Sequence, residues 1–283
     1  MHLARVSCLV LVAAVCAHAQ DAAAVESSLT VVTYNVHGLP SFVTGDDTPG
    51  RMRAISPRLS GFDLVGLQED FMPDAHALLV GAARQPARAR FDATLTGRFY
   101  GSGLTWLSHR PVLLRAEEHF RAYSGIIDGA NDGMASKGIQ LVRVALAPGV
   151  ELDVWNTHMD AGGGESDQRA RADQLEQILS AMRARSEGRA VVFVGDTNLS
   201  ERRPADQAAL RRFLDATGLR CACLATRESC CARIDRILWR SGIGVELRAV
   251  EWGVASGFVD AEGRPLSDHE PIRAVLRWRR GPV

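Results

Sequence analysis

Lysine is almost absent from this sequence: Lys137 is the single lysine among 33 basic residues, and the rest are arginine. Net charge is absent too, because 33 acidic residues balance the basic ones. A chain without net charge lacks the strong positive field that draws nucleic acid to a protein, although a local basic patch can still exist. Composition therefore does not indicate a nucleic-acid-binding protein, and it makes the position of Lys137 worth following.

Long apolar runs are absent after residue 19. Before it, residues 6–17 form a short apolar run behind Arg5, and Ala17 and Ala19 place small residues where a signal peptidase cuts. This run is too short to span a bilayer comfortably. We expect a signal peptide at residues 1–19, cleavage between Ala19 and Gln20, and a secreted or periplasmic protein without a transmembrane segment.

Cysteine is scarce, with six in the chain, and Cys8 and Cys16 would leave with the signal peptide. In an oxidising compartment the remaining four predict two disulfides, with three possible connectivities. A zinc site is the alternative, but a vicinal pair and a CxC spacing differ from the usual CxxC ligand pairs. The four cysteines lie in one short stretch: Cys221, Cys223, Cys230 and Cys231.

What the sequence does contain is an ordinary globular composition, 46% hydrophobic and 23% charged over 283 residues. Apolar and β-branched runs predict strands at residues 29–36, 63–68, 103–108, 138–146, 150–157, 191–196, 233–239, 245–252 and 270–278. Helical spacing predicts helices at residues 51–59, 73–79, 166–185 and 204–217, with Ser166 as the cap of the third. We find no internal repeat.

About ten strands against four helices, with strands often adjacent in sequence, favour two packed, largely antiparallel sheets flanked by helices. A doubly wound parallel sheet would need a helix in most connections, and several connections here are short. We expect an α/β fold with a linker at residues 20–28 and a single domain from residue 29 to 283.

The central strand prediction is the stretch VVFVGDTNLS, in which a buried strand ends at Asp196. Gly195 allows the backbone to bend there, and Asn198 follows two positions after the carboxylate. Residues two apart in an extended segment point to the same side. A carboxylate can take a proton from water while an amide donates to a phosphate oxygen. An ordinary turn is the alternative interpretation of these two residue types.

Polar residues close the other predicted strands in the same way. Oxygen and imidazole groups recur at these positions, whereas a serine nucleophile does not. One such residue is more often a cap or turn, but the repetition predicts one shared site. The positions are Asn35, Glu69, His158, Asp235, Asp268 and His269.

In their order, the motifs TYNV, LQE, NTH, GDTN, RID and SDHEP resemble those of the endonuclease/exonuclease/phosphatase superfamily. The resemblance covers about residues 29 to 278, and GDTN followed by SDHEP is its most specific part. The superfamily includes DNase I-like nucleases, inositol polyphosphate 5-phosphatases and neutral sphingomyelinases. It implies a DNase I-like four-layer α/β sandwich with the active site at one edge of the two sheets.

The resemblance also implies a Mg²⁺ site, for which Mn²⁺ is an expected substitute. Glu69 would bind the ion directly, with Asn35 beside it and Asp268 facing the ion or its waters. Mg²⁺ prefers oxygen ligands and keeps several waters, so a small ligand set of this kind suffices.

Catalytic roles follow from the same resemblance. Asp196 would deprotonate the attacking water, and Asn198 would donate to a phosphate oxygen. His269 would stabilise the developing charge with its tautomer fixed by Asp235, since a carboxylate partner raises the pKa of a histidine. His158 would be a second phosphate donor or the acid for the leaving group.

The segments YNVHGLPSF and THMDAGGG look more like the sphingomyelinase-type phosphodiesterases than the DNA-repair nucleases. Lys137, in SKGIQ, lies where related enzymes carry an NKG-like motif, so a contact with the substrate phosphate and an ordinary loop lysine are both open. His37 replaces the acidic residue typical of repair nucleases. No hairpin rich in exposed aromatic residues of the membrane-inserting kind is evident.

We therefore expect a secreted, Mg²⁺-dependent phosphodiesterase acting on sphingomyelin or a related phospholipid, with transient membrane-surface contact and no obligate protein partner. An extracellular nuclease is the second hypothesis, and it requires arginines clustered beside the site. A catalytically silent binding module is the third. The candidate arginines are Arg51, Arg53, Arg233 and Arg236.

Overall fold

The computed structural model describes residues 26–125, 132–226 and 233–281. Its strands in these ranges are β1 Ser27–Asn35, β2 Leu64–Gln68, β3 Ala87–Phe91, β4 Leu104–Ser108, β5 Val112–His119, β6 Gly138–Ala147, β7 Val150–His158, β8 Val191–Asp196, β9 Arg220–Cys221, β10 Asp235–Arg240, β11 Val245–Val254 and β12 Ile272–Arg280. The helices are α1 Ser41–Thr44, α2 Thr48–Leu59, α3 Pro73–Gly81, α4 Glu165–Ser186, α5 Pro204–Thr217 and α6 Ala222–Thr226, with a 3₁₀ turn at Asp132–Met134.

The strands form two mixed six-stranded sheets. The first has the order β11-β12-β1-β2-β4-β3 and the second β5-β6-β7-β8-β10-β9. Two neighbouring pairs are parallel, β1 with β2 and β7 with β8. The other described pairings are antiparallel. Each parallel pair requires a crossover, and α2 and α4 lie in those two connections.

Three apolar clusters define four layers. One cluster fills the space between the sheets and includes Leu64 and Trp106 from the first sheet and Val142 from the second. A second joins the outer face of the second sheet to α4 and α5. The third joins the outer face of the first sheet to α2 and α3. Helices therefore cover the outer face of each sheet, and the sheets pack face to face.

Strand alternation determines which polar side chains enter the space between the sheets. In β1, Leu29 and Val31 belong to the inner cluster, whereas Val32 and Tyr34 pack outward. Asn35 has the same parity as Val31 and therefore continues the inner face. The same rule applies in three other strands, where a polar residue lies an even number of positions from an inner apolar residue and therefore faces inward. These pairs are His158 with Val154, Asp196 with Val194, and Asp235 with Ile237. Glu69 has the outward parity, because inner residue Leu64 is five positions before it.

The sandwich of two largely antiparallel sheets is confirmed, and each of the nine predicted strands and four predicted helices is present. Three strands were not predicted, namely β3, β5 and β9. In β3 arginine alternates with alanine, and most of β5 is only partly buried or exposed, so neither gives a clear apolar run. Ser166 is not the cap of α4; the helix begins at Glu165, and the Asp167 carboxylate accepts from the Gly164 amide.

Several predictions concern residues outside the described ranges. The signal peptide, the first part of the linker, Cys230 and Cys231 lie there. Cys221 has a free thiol, so the prediction that all four cysteines form two disulfides is wrong for this residue. Cys223 is buried and disulfide-bonded. Within the described ranges, no helix combines the length and apolar character needed to cross a membrane.

Candidate active site

The candidate site lies where the carboxyl ends of the two parallel strand pairs face each other across the sandwich. Asn35 ends β1 and donates from Nδ2 to two carboxylates, Glu69 Oε1 at 2.8 Å and Asp196 Oδ2 at 3.1 Å. Behind it, Gln68 Nε2 donates to Asn156 Oδ1 across the sheets at 2.7 Å. Asn35, Glu69 and Asp196 therefore meet as predicted. The hydrogen bond between the amides of Gln68 and Asn156 also joins the two sheets.

Backbone strain is concentrated at this site. In the described ranges, the non-glycine residues with positive φ are His37 at 49°, Glu69 at 58° and Asn198 at 51°. Each left-handed residue costs about 1–3 kcal/mol and persists only where its surroundings determine it. Two of the three follow the same short turn: the His37 amide donates to Asn35 Oδ1 and the Asn198 amide to Asp196 Oδ1, both at 3.0 Å.

The sequence predicted that Gly195 lets the backbone bend as it leaves the sheet, whereas the structure keeps Gly195 inside β8 and gives this glycine another role, close contact with the neighbouring strand. Its φ is 146°, and a Cβ at this position would lie 2.2 Å from the Thr157 carbonyl oxygen on the neighbouring strand β7. Glycine therefore allows β7 and β8 to approach closely one residue before Asp196. The close approach also brings His158, paired in register with Asp196, beside the carboxylate.

His158 is buried in contact with both carboxylates and with the single lysine. Its Nε2 lies 3.6 Å from Asp196 Oδ2, 3.9 Å from Glu69 Oε1 and 3.2 Å from Lys137 Nζ. Burial, followed by the charges of Lys137 and His269, holds the pKa of His158 well below its ordinary value. His158 is therefore a neutral imidazole at neutral pH.

Lys137 is 8% exposed and lines the cavity, but protein groups occupy its ammonium. Besides His158, Nζ donates to the Met159 carbonyl at 2.9 Å and to a carboxylate oxygen of Asp132. The sequence did not single out Asp132. The only sequence feature that could have indicated Asp132 is that it is a carboxylate five positions before Lys137, the predicted phosphate-binding residue. The phosphate contact of Lys137 stays a prediction.

His269 and Asp235 form the predicted histidine–carboxylate pair, with Nδ1 and Oδ2 2.9 Å apart. Burial alone would lower the pKa of His269, but the hydrogen bond and charge of Asp235, helped by Asp196, outweigh it and raise the pKa to about 10. His269 Nε2 faces Asp196 Oδ2 at 3.7 Å. Burial and the charge of Asp235 raise the pKa of Asp196 to about 7. The site therefore places the cationic imidazolium of His269 beside the weakly acidic carboxyl group of Asp196.

Asp268 and Asn198 make contacts within the protein that the sequence did not indicate. The Asp268 carboxylate pairs with His37 Nδ1 at 2.8 Å, is largely exposed, and does not line the cavity. Asn198 does line the cavity, and its Nδ2 donates to the Met159 carbonyl at 3.0 Å. The partnership of His37 with Asp268 had no sequence signal, because the residues are far apart in the chain.

A cavity of about 270 Å³ opens over these groups. One part of its lining is polar and includes Glu69, His158, Asp196 and His269. The other part is apolar, and no motif predicted it because its members come from separate segments of the chain. These apolar residues are Leu39, Val43, Phe71, Tyr100 and Met134.

The donor set fits a hard divalent cation at Glu69. Two carboxylate oxygens, one from Glu69 and one from Asp196, lie within hydrogen-bond distance of the same Asn35 nitrogen. Mg²⁺ takes few carboxylates and retains waters, and the open cavity leaves room for them. Asp196, Asp235 and His269 also offer atoms within 4.8 Å of one another. In that group His269 Nδ1 and Asp235 Oδ2 already pair with each other at 2.9 Å, so we place the ion at Glu69.

The four arginines that a nuclease would need beside the site do not line the cavity. Arg51 donates to the carbonyls of Val36 and His37, at 2.9 Å and 2.8 Å. Arg236 is buried and donates to the Leu199 carbonyl at 3.0 Å. Arg233 pairs with Glu270, and Arg53 is exposed on α2. Arg51 and Arg236 therefore support the backbone, whereas Arg233 forms an ion pair at the surface.

Comparison with known proteins shows which family this chain resembles. The model of the Endonuclease/Exonuclease/phosphatase family matches residues 32–269. A sphingomyelinase of Mycobacterium bovis is 30% identical over 270 residues, which cover 87% of this chain and 52% of that protein. A sphingomyelinase of Mycobacterium tuberculosis matches to the same extent. The chain spans about half the length of the curated relatives it matches.

Solved structures show the same fold at lower sequence identity. Sphingomyelinase C from Streptomyces griseocarneus superimposes with a TM-score of 0.65 at 21% identity, covering 88% of this chain and 99% of that one. A beta toxin variant from Staphylococcus aureus with bound magnesium ions gives 0.66 at 15% identity, covering 88% and 99%. Because the family model matches residues 32–269, most of this chain, the chain belongs to the endonuclease/exonuclease/phosphatase family.

Proposed function

We propose that this protein is a Mg²⁺-dependent phosphodiesterase that hydrolyses sphingomyelin or a related phospholipid by in-line attack of water. The observation that carries the proposal is the convergence of Glu69, His158, Asp196 and His269 on one cavity. These residues come from both sheets, and their charge states are complementary. The relationship to mycobacterial sphingomyelinases, at 30% identity, supports the choice of substrate.

Mg²⁺ would be held by Glu69, with Asn35 orienting that carboxylate through the 2.8 Å hydrogen bond. When bound, the ion would polarise a phosphate oxygen and offset its negative charge. We leave Asp268 out of the ligand set, because its carboxylate pairs with His37.

Asp196 is the proposed general base. Its pKa of about 7 lies near the operating pH, where a base combines adequate deprotonation with adequate strength. It would take one proton from the attacking water as the new bond to phosphorus forms, while the bond to the alcohol oxygen breaks and the departing alcohol oxygen takes up a proton from solvent. Asn198, on the same turn, lines the cavity as the proposed donor to a phosphate oxygen.

His269 is the proposed stabiliser of the charge that builds on the phosphate. Because its pKa is about 10, it is cationic at neutral pH, and Asp235 fixes Nδ1 so that Nε2 faces the cavity side. Preorganised donors of this kind often supply the largest part of catalysis. His158 is neutral, so we do not assign it the transfer of a proton to the leaving group. As a donor to phosphate it would carry its proton on Nε2, the nitrogen that faces Asp196 and Lys137, because Nδ1 is buried.

The apolar part of the cavity lining supports a substrate with an organic group beside the phosphate. Phe71 and Tyr100 stack with ring centroids 5.4 Å apart next to Glu69. The candidate arginines do not line the cavity, and this favours a lipid over a nucleic acid, whose backbone needs cationic contacts on both sides of the scissile bond. Secretion and transient contact with a membrane surface remain part of the proposal.

A substrate panel tests the proposal directly. Sphingomyelin, a lysophospholipid, plasmid DNA, RNA and an inositol phosphate are incubated with the protein in Mg²⁺ and in excess EDTA. We expect hydrolysis of sphingomyelin in Mg²⁺, loss of it in EDTA, and recovery when Mg²⁺ is added back. Cleavage of DNA without cleavage of lipid would replace this function by a nuclease. Full activity in EDTA would refute the metal mechanism.

A further inference from the structure

The side chain of Glu69 enters the cavity, although the alternation of side chains along β2 would direct it to the opposite face of the sheet. Gln68, the last residue of β2, has the inner parity, so an extended continuation would point Glu69 outward toward the helices. The positive φ of 58° at Glu69 reverses this direction and lets the carboxylate meet Asn35. The position of this carboxylate therefore depends on groups that hold a left-handed turn.

Backbone contacts hold the turn on both sides. The Gly38 amide donates to the Glu69 carbonyl at 3.0 Å, and the Asp70 amide donates to the Gly103 carbonyl at 2.9 Å. Gly38 permits this contact, because a Cβ there would lie 2.3 Å from the Glu69 oxygen. These bonds determine the path of the chain around Glu69 but leave the residue after it to be anchored.

Asp70, which the mechanism does not use, supplies that anchor. It is 2% exposed, and its Oδ2 accepts from Thr105 Oγ1 at 2.7 Å and faces His76 Nδ1 at 2.5 Å. Arg90 Nη2 donates to the carbonyls of Asp70 and Phe71, both at 3.2 Å. Residues of α3, β3 and β4 thus converge on the position immediately after the strained residue.

A buried carboxylate elsewhere in the molecule provides the contrast. Asp153 in β7 is fully buried and accepts from Arg143 Nε at 2.5 Å and from Ser186 Oγ at 2.7 Å. Its network is at least as extensive as that of Asp70, but it lies inside a regular strand with no strained neighbour. Loss of either carboxylate should lower stability, since a buried network would lose its acceptor. Only loss of Asp70 should change the direction of Glu69.

We propose that Asp70 is a positioning residue, which holds Glu69 in the left-handed conformation that a divalent cation requires. The inference rests on the proposed function, because it takes Glu69 as the metal ligand. Residues that orient a ligand typically change metal affinity by about 10–100-fold when mutated.

The test measures Mn²⁺ binding to the full chain by the electron paramagnetic resonance signal of free Mn²⁺, without substrate. Asp70→Asn keeps the shape of the side chain and removes its charge, and Asp153→Asn is the matched control. We expect the dissociation constant of Mn²⁺ to rise about 10–100-fold in D70N and to stay at the wild-type value in D153N. Thermal denaturation of both variants reports the stability loss that they share.

Thr105→Val provides a second variant in case D70N does not fold, since it removes one hydroxyl donor to Asp70 and preserves volume. It should weaken Mn²⁺ binding several-fold. Wild-type affinity in both D70N and T105V, or equal weakening in D70N and D153N, would overturn the inference while leaving the metal site in place. A wild-type protein that binds no Mn²⁺ would overturn the proposed function and this inference together.

Discussion

The same turn occurs twice in this molecule, once at the end of β1 and once at the end of β8. In each, a side-chain oxygen accepts the amide two residues later, and that later residue has φ near 50°. The first turn carries Asn35 and His37, and the second carries Asp196 and Asn198. One turn belongs to each sheet, and the Asn35–Asp196 hydrogen bond joins them.

The two turns differ in charge and in the direction of their last side chain. Asn35 is a neutral donor, whereas Asp196 is a buried acid whose pKa burial raises to about 7. Asn198 faces the cavity, while His37 turns away from it toward Asp268. The shared backbone conformation therefore brings side chains of both turns to the same cavity. Their residue types differ in role: Asp196 in the second turn is the proposed base, and Asn35 in the first turn orients Glu69 and Asp196.

A second comparison concerns two histidine–carboxylate pairs. His269 with Asp235 is largely buried, and His37 with Asp268 is largely open to solvent. Both carboxylates raise the pKa of their histidine. Only the buried pair raises it to about 10, because solvent screens the charges of the exposed one.

Replacing the acid of the second turn should have the largest effect. Asp196→Asn keeps the turn, because an amide oxygen still accepts the Asn198 amide, but it removes the base. We expect kcat for phosphodiester hydrolysis to fall about 10²–10⁴-fold. Asp153→Asn, another fully buried carboxylate, should keep wild-type kcat at a temperature where it is folded. Near wild-type turnover in D196N would remove the base from its role.

Replacing the amide of the first turn should have a smaller effect. Asn35→Ala removes the donor that orients Glu69 and Asp196, so the Mg²⁺ concentration for half-maximal activity should rise about 10–100-fold. Asn156→Ala is the matched control, since it removes another buried amide that joins the sheets. It should lower the unfolding temperature and leave the Mg²⁺ dependence unchanged. The same Mg²⁺ dependence in both variants would contradict the distinction.

The buried pair can be tested by pH. In Asp235→Asn, His269 loses the carboxylate that raises its pKa, so the alkaline limb of kcat/KM should move down by about 1–3 pH units. Asp196 acts deprotonated, and loss of the Asp235 charge lowers its pKa, so the acidic limb should move down as well. The whole profile should therefore shift toward acid. A profile reduced in height at unchanged pH values would argue against this coupling.

The exposed pair should give the smallest effect, on stability alone. The hydrogen bond with Asp268 raises the pKa of His37, so its stabilisation is complete below the unfolded pKa of about 6.5 and is lost as pH rises through the folded value. His37→Gln should cost less than about 1 kcal/mol near pH 5.5 and almost nothing near pH 9. Urea denaturation at the two pH values measures this. A larger cost at pH 9 would reverse the sign of the argument.

Much of this site could be predicted from local sequence. Asn35, His158 and Asp196 end apolar strands with the parity of inner-core residues, and alternation is a local property of an extended chain. Gly195 shows the limit of this reasoning, because the sequence indicated only a flexible residue before Asp196, and the close contact with the Thr157 carbonyl comes from the neighbouring strand.

Other features of the site depend on residues that are distant in sequence. Glu69 has the outward parity and reaches the cavity only through a strained turn that α3, β3 and β4 support. Lys137 has its ammonium occupied by Asp132, His158 and Met159, which no spacing rule indicates. Asp268 follows a motif that implied a metal contact, and yet its nearest partner is His37.

By itself, then, the sequence determined nine of the twelve described strands, the sandwich and the residue types that meet at its edge, since periodicity and strand ends are local. Tertiary structure decided that the pKa of Asp196 is about 7 and that His158 is neutral. It also supplied the Asp235 contact by which His269 is cationic, as the resemblance implied. The physical reason is that burial and neighbouring charges set a pKa, and both depend on which distant residues the fold brings together.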